Sequence, residues 1–190
     1  MSRKFLMVHI GNEPDHRRLE CIQSVLDHMD RKDRLIFISD TEFHPSEKID
    51  WIPLHKYIDE FDSRTREMWD RVPKDKISHA TVLSDIIRIH YLSKHKKIWY
   101  LDTDVMMMNR IEKDPEGKVF NKRGFKTDYA VIYSHTDTKF FKDLLKWMQS
   151  IQKPFRKWIY IKIRNMDFLT ESSFIHLKLH RSDLRKIKNG

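Results

Sequence analysis

The chain has 190 residues, of which 37 are Lys or Arg and 28 are Asp or Glu, so its formal net charge is +9. It contains 4 Gly and 6 Pro, which argues against low-complexity linkers, and its 1 Cys excludes an intramolecular disulfide. No apolar run approaches the roughly 20 residues that a membrane-spanning helix needs. We therefore predict a single soluble domain over residues 1–190, located in a reducing compartment such as the cytoplasm.

The first predicted elements alternate between strand and helix. The apolar run at 4–10 predicts a strand, and the run at 33–40 predicts a second one. Between them, residues 15–29 place apolar side chains at helical spacing, and Asp15 is suited to cap the start of that helix. Cys21 falls within this helix and is expected to be buried as a small apolar residue.

The rest of the chain continues the alternation. The predicted segments are an extended piece at 48–57 broken by Pro53, a helix at 78–95 capped by Ser78, strands at 98–101 and 127–135, a helix at 137–151 and a strand-like segment at 172–180. Such alternation predicts an α/β fold with a mostly parallel central sheet. In open sheets of this kind, ligands bind beyond the carboxyl ends of the strands.

Two aspartates, Asp102 and Asp104, follow the predicted strand at 98–101 and precede another apolar run at 105–108. On an extended chain their side chains point to the same side, where two carboxylates repel unless a cation lies between them or one of them is protonated. Oxygen ligands suit Mg²⁺ or Mn²⁺, which share their sites with substrate phosphates. The spacing therefore predicts a divalent cation that holds a diphosphate, and a helix cap or a turn after the strand is the alternative.

Residues 80–112 resemble the core signature of the DXD sugar-binding glycosyltransferases. This family includes the yeast α-1,6-mannosyltransferases and many bacterial capsule and lipopolysaccharide transferases. Ser84, Asp85 and Arg88 match its helix motif, and residues 99–104 match its strand motif. The resemblance implies one Rossmann-like domain of the GT-A type that binds a nucleotide sugar.

The chain also departs from the family pattern. Lys96 and Lys97 stand where the family usually has two glycines, which changes the backbone freedom of that loop. Residues 7–14 are similar to the opening strand of the family, but its Trp is missing and Gly11 directly follows Ile10.

The resemblance implies a role for each matching residue. Asp104 is expected to coordinate Mn²⁺ or Mg²⁺, and Asp102 to contact ribose or sugar hydroxyls and to reach the metal through water. Asp85 is expected to accept hydrogen bonds from the donor sugar, and Arg88 to pair with Asp85 or with phosphate. These four residues form the expected catalytic set, although the spacing of Asp85 and Arg88 alone also fits an ordinary helical ion pair. The further donor-binding residues are expected to be His9, Gly11, Ser84, Tyr100 and Thr103.

Relatives of this kind often take a third metal ligand from late in the chain, where His176 and His180 are available. His176 follows an apolar pair, as a ligand at the end of a strand would, and a structural histidine is the alternative. Asp128, near the start of a later predicted strand, is a candidate carboxylate on the acceptor side.

The excess charge lies in the last part of the chain. Residues 1–138 hold equal numbers of basic and acidic residues, whereas residues 139–190 hold 13 Lys and Arg against 4 Asp and Glu. We expect a donor-binding half at 1–138 and a basic, acceptor-side half at 139–190, in which Lys153, Arg156 and Lys157 contact an anionic acceptor. A solvated basic face is the alternative.

The sequence as a whole predicts a metal-dependent glycosyltransferase that moves a hexosyl or pentosyl group, with retention, from a UDP- or GDP-sugar. The anionic acceptor is either a surface polysaccharide or lipid-linked glycan, or DNA with a hydroxylated base, as in some bacteriophages. Two other classes stay open, a non-enzymatic nucleic-acid-binding protein and a metal-dependent nuclease. Neither the sugar nor the oligomeric state follows from the sequence.

Overall fold

The computed structural model describes residues 2–74, 79–117, 119–123 and 126–151. Ser78 and the predicted strand-like segment at 172–180 lie outside the described residues. In chain order the elements are β1 (Lys4–His9), α1 (His16–His28), β2 (Arg34–Ser39), β3 (Ile49–Pro53), α2 (Leu54–Ile58), α3 (Ser63–Asp70), α4 (His79–Lys94), β4 (Ile98–Leu101), β5 (Val119–Arg123), β6 (Lys126–Tyr133) and α5 (Lys139–Ser150).

The strands in the described part of the chain form one six-stranded sheet in the order β3-β2-β1-β4-β6-β5. The pairings among β3, β2, β1 and β4 are parallel, whereas β6 runs antiparallel to both β4 and β5. The predicted α/β fold with a mostly parallel sheet is therefore confirmed. Because β1 pairs with β2 on one side and with β4 on the other, the strand order reverses beside β1, which is where open sheets of this type bind ligands.

Hydrophobic layers cover both faces of the sheet. Successive side chains of β1 point to opposite faces of the sheet. Leu6 and Val8 pack in the layer on the side of α4 and α5, whereas Phe5 and Met7 pack in the layer on the side of α1. Helix α4 is buried on almost every side, because α5 packs against it as well as the sheet. None of the helices in the described ranges is long and apolar enough to cross a bilayer.

Three short elements escaped the sequence prediction. Pro53 does end a strand, as expected, but helix α2 begins at the next residue. Helix α3 follows with Asp62 as its N-cap, whose carboxylate accepts a hydrogen bond from the Thr65 amide at 2.7 Å. Strand β5 was also missed. Helices of 5 and 8 residues are too short to show a clear apolar period in the sequence. Tertiary packing, rather than the helix propensity of their own residues, stabilises helices of this length.

Lys97 has the left-handed backbone conformation, with a φ of 55°, at the position where the resembling family usually has glycine. Its amide donates a hydrogen bond of 2.7 Å to the carbonyl of His135, another left-handed residue. This conformation destabilises a residue that has a Cβ by roughly 1–2 kcal/mol, and glycine would avoid that cost. Glycine would in turn lower the stability by about 0.4–1 kcal/mol, because it gives the unfolded chain more conformational entropy.

We therefore expect Lys97→Gly to raise the free energy of unfolding by about 0.5–1 kcal/mol in urea denaturation. Lys96→Gly is the matched control, because Lys96 does not have a positive φ and should gain no stability. Equal effects of the two substitutions would contradict the backbone explanation.

Candidate functional site

The carboxyl ends of β1, β2 and β4 lie side by side at one edge of the sheet. His9 at the end of β1 pairs with Ser39 at the end of β2, and Leu6 pairs with Tyr100 in β4. The residues that follow these strands therefore meet at the strand-order reversal. Asp102 and Asp104 lie at the carboxyl end of a strand, as the sequence predicted.

The backbone turns immediately after β4. The carbonyl of Asp102 accepts a hydrogen bond of 3.0 Å from the amide of Val105, which closes a turn with Thr103 and Asp104 at its centre. The expectation that the two aspartates share one side of an extended chain is therefore wrong. The amide of Asp102 in turn donates to the carbonyl of Ala130 in β6 at 2.8 Å, which holds the turn against the sheet.

Arg88 connects the helix motif to the strand motif. Its guanidinium forms an ion pair with Asp85 one turn earlier in α4, and its Nη1 lies 3.3 Å from Oδ1 of Asp102. The expected pair of Asp85 and Arg88 is thus present, and Asp102 extends it across the helix–sheet interface. The side chains of Asp85 and Arg88 are buried, which makes this network costly to break.

Tyr100 completes this group. Its side chain is 1% exposed, and its hydroxyl donates a hydrogen bond of 2.5 Å to Oδ1 of Asp102. The guanidinium carbon of Arg88 lies 4.7 Å from the centre of the Tyr100 ring, in cation–π contact. Burial and the nearby charge of Asp102 raise the pKa of Tyr100 well above its ordinary value, so the hydroxyl keeps its proton.

The loop after β1 is held by two contacts. A ring nitrogen of His9, Nε2, lies 2.7 Å from the carbonyl of Asn12. The amide of Gly11, a residue with a φ of 117°, donates to both carboxylate oxygens of Asp40 at 2.9 and 3.1 Å. Sequence reasoning missed Asp40, because the predicted strand at 33–40 included it, whereas the observed strand ends one residue earlier, at Ser39.

Asp104 is half-buried within this turn. Its charge reaches Cys21, whose pKa is raised to about 11, first by burial and then by this carboxylate. Cys21 is fully buried, as the sequence predicted. Thr103, beside Asp104 in the turn, is also buried. In α4, the hydroxyl of Ser84 donates a hydrogen bond of 2.8 Å to the carbonyl of Thr81.

No family model matches the chain, and no curated protein matches it either. Solved structures do. One, described as "PaToxG Glycosyltransferase", has a TM-score of 0.57 at 16% identity over 76% of this chain. This chain spans 58% of the length of that structure. A transferase with two cysteine-to-serine substitutions has a TM-score of 0.61 at 13% identity, with 93% of this chain and 92% of the other covered. The apo form of mouse xyloside xylosyltransferase 1 has a TM-score of 0.50 at 11% identity, with 78% of this chain and 74% of the other covered. The chain has the GT-A glycosyltransferase fold.

The acidic groups at this edge of the GT-A fold suit a cation. The three aspartates of the two motifs, Asp85, Asp102 and Asp104, outnumber the one basic side chain paired with them, Arg88, so this part of the edge is acidic and suits a divalent cation. In the described ranges, no three His, Cys, Asp or Glu side chains are grouped so as to hold a metal. The chemistry of the donor set fits Mg²⁺ or Mn²⁺, with Asp104 and Asp102 as the ligands available here.

The GT-A fold also places the backbone of Asp128 relative to this edge. Asp128 pairs with Asn121 in the β5–β6 hairpin and precedes by two residues Ala130, whose carbonyl binds the amide of Asp102. Because β6 runs antiparallel to β4, Asp128 lies beyond the carboxyl end of β4. Five other residues singled out in the sequence lie outside the described residues, namely Lys153, Arg156, Lys157, His176 and His180.

Proposed function

We propose that the protein is a metal-dependent glycosyltransferase that uses a nucleoside diphosphate sugar, with UDP or GDP as the nucleotide. The observation that carries this proposal is the network of Asp85, Arg88, Tyr100 and Asp102, which stands with Asp104 at the strand-order reversal of a GT-A fold. We further propose that residues 1–138 form the donor-binding half, within one domain and in the cytoplasm.

Asp104 would bind the cation directly, Asp102 would reach it through water, and His176 is the proposed third ligand. When bound, the cation would supply positive charge to the departing nucleoside diphosphate. The protein itself would orient the donor. Holding the donor in a fixed geometry lowers the reaction barrier, because the translational and rotational entropy of the reactants is then lost on binding and not in the transition state.

Other residues at the edge would contact the donor. The loop of His9 and Gly11 is hydrogen-bonded to Asn12 and Asp40, and Thr103 forms part of the turn that carries Asp104. Asp85 would accept hydrogen bonds from sugar hydroxyls, with Ser84 beside it. We assign no side chain as a general base, since transfer with retention does not require an evident one in this site.

The donor part of the proposal is tested by a panel of nucleotide sugars, measured by thermal unfolding with and without Mn²⁺. A true donor at 100 times its dissociation constant should stabilise the protein by about 2.7 kcal/mol and release nucleoside diphosphate slowly. Chelation with EDTA should remove both effects.

Absence of stabilisation and of diphosphate release across the panel would contradict a transferase. Cleavage of bare nucleic acid with Mn²⁺ would instead indicate a nuclease. Tight nucleic-acid binding without cleavage would indicate a non-enzymatic binding module.

For the acceptor we propose a polyanion, on the grounds of the charge excess in residues 139–190. Asp128 would lie on the acceptor side of the donor site, and Lys153, Arg156 and Lys157 would contact the anionic groups. A surface polysaccharide or lipid-linked glycan and a hydroxylated-base DNA both fit this charge.

Salt dependence separates the two acceptors. If DNA is the acceptor, the logarithm of the duplex affinity should fall with the logarithm of salt concentration, with a slope of about 0.9 per neutralised phosphate. Replacing Lys153, Arg156 and Lys157 together by Gln should flatten that slope by up to about 3 units. Absence of duplex binding at low salt would exclude DNA.

A further inference from the structure

Asp102 is the most exposed member of the group that we call the Arg88 network, formed by Asp85, Arg88, Tyr100 and Asp102. Its side chain is 28% exposed, against 5% for Arg88 and 7% for Asp85. Tyr100 is 1% exposed. A ligand that approaches the carboxyl ends of the strands would therefore meet Asp102 first, and Tyr100 lies behind Asp102.

Two donors act on the same oxygen of Asp102. The hydroxyl of Tyr100 donates to Oδ1 at 2.5 Å, and Nη1 of Arg88 lies 3.3 Å from that oxygen. Arg88 and Tyr100 also contact each other, since the guanidinium lies over the tyrosine ring. Both groups approach Asp102 from the protein interior, so together they restrict its carboxylate to one orientation.

We infer that Tyr100 is a positioning residue, which fixes the Asp102 carboxylate toward the donor and metal site rather than contacting the donor itself. This inference rests on the proposed function. Its physical reason is that a carboxylate on a turn would otherwise sample several rotamers, and a ligand that binds it would have to order it first. Groups that orient metal-binding side chains typically change metal affinity by 10–100-fold when they are removed.

The substitution Tyr100→Phe removes one oxygen atom and keeps the buried ring. We expect it to weaken Mn²⁺ binding by about 10–100-fold, measured without donor by electron paramagnetic resonance of the free ion. In an Asp102→Ala background the same substitution should change Mn²⁺ affinity less than about twofold, because the residue that it positions is gone.

Tyr133→Phe is the matched control. Tyr133 is a buried tyrosine that packs on the other face of the sheet from Tyr100, in the hydrophobic layer on the side of α1. Its substitution should leave Mn²⁺ binding as in the wild type. Wild-type affinity in Tyr100→Phe would overturn the inference, and so would an equal loss in the presence and absence of the Asp102 carboxylate.

A metal-free measurement separates this inference from the proposed function. If the wild type itself binds no Mn²⁺ and releases no nucleoside diphosphate, the proposed function fails, and urea unfolding still tests the contact. If Tyr100 positions Asp102, the substitution Tyr100→Phe should lower the urea midpoint when Asp102 is present and should have little effect on it in the Asp102→Ala background. The same shift in both backgrounds would mean that Tyr100 acts only as a core residue.

Discussion

Asp104→Asn is expected to abolish sugar transfer, by at least about 1,000-fold in kcat, while leaving the fold intact. The substitution keeps the shape of the side chain and removes the negative charge that would bind the cation, and several kcal/mol of charge stabilisation correspond to at least three powers of ten in rate. Release of nucleoside diphosphate from a donor sugar measures the loss. Circular dichroism and the urea midpoint should match those of the wild type.

Asp27→Asn is the matched control for this experiment. Asp27 is exposed in the last turn of α1, which is the end of the helix away from the loop after β1, and its carboxylate accepts a hydrogen bond from Gln23 at 2.7 Å. It should keep full activity. Full activity in folded Asp104→Asn would rule out the proposed metal role.

The second large effect is a loss of stability in weak acid that depends on His90. This histidine is 1% exposed, and the hydroxyl of Tyr57 lies 2.9 Å from its Nδ1. Its pKa is lowered from 6.5 to about 4, first by burial and then by the charge of Lys94, while Asp62 acts in the opposite direction. Burial also raises the pKa of Tyr57, so this hydroxyl keeps its proton and donates to the neutral imidazole.

The sign of the pH dependence follows from these values. Between pH 6.5 and pH 4 the unfolded chain binds a proton at His90 and the folded protein does not, so the free energy of unfolding decreases as the pH falls. The total loss from this residue is about 3 kcal/mol, at about 1.4 kcal/mol per pKa unit, and it is complete near pH 4.

His90→Gln keeps a hydrogen-bonding group beside Tyr57 but does not titrate. The free energy of unfolding, measured in urea, should therefore fall between pH 7 and pH 4 by about 3 kcal/mol less in His90→Gln than in the wild type. His16→Gln removes an exposed imidazole on α1 and serves as the control. An unchanged pH dependence in His90→Gln would show that the buried imidazole does not carry the effect.

Local patterns in the sequence predicted most of the longer elements. Helix α1 was predicted with its cap, and Asp15 indeed accepts a hydrogen bond from the Arg18 amide at 2.9 Å. Apolar periodicity and caps act over a few residues, so the sequence shows them directly. The short α2, α3 and β5 lack that signal, because neighbouring elements rather than their own pattern stabilise them.

The position of the acidic motif in the fold was predicted from the sequence, but its local backbone geometry was not. The motif residues Asp102 and Asp104 stand at the carboxyl end of a buried strand, as the sequence predicted. The turn that carries them contradicts the extended arrangement, because the backbone hydrogen bond between Asp102 and Val105 forms once the strand ends.

The sequence by itself determined the α/β class, the position of the acidic motif and the helical spacing of Asp85 and Arg88. Only the tertiary structure decided which of these groups touch. Asp102 lies 14 residues from Arg88, and this contact requires helix α4 to pack on the sheet. Asp40 lies 29 residues from Gly11, and this contact requires β1 to pair with β2. A periodic pattern specifies which face of an element is buried, whereas the partner on that face depends on strand order and register.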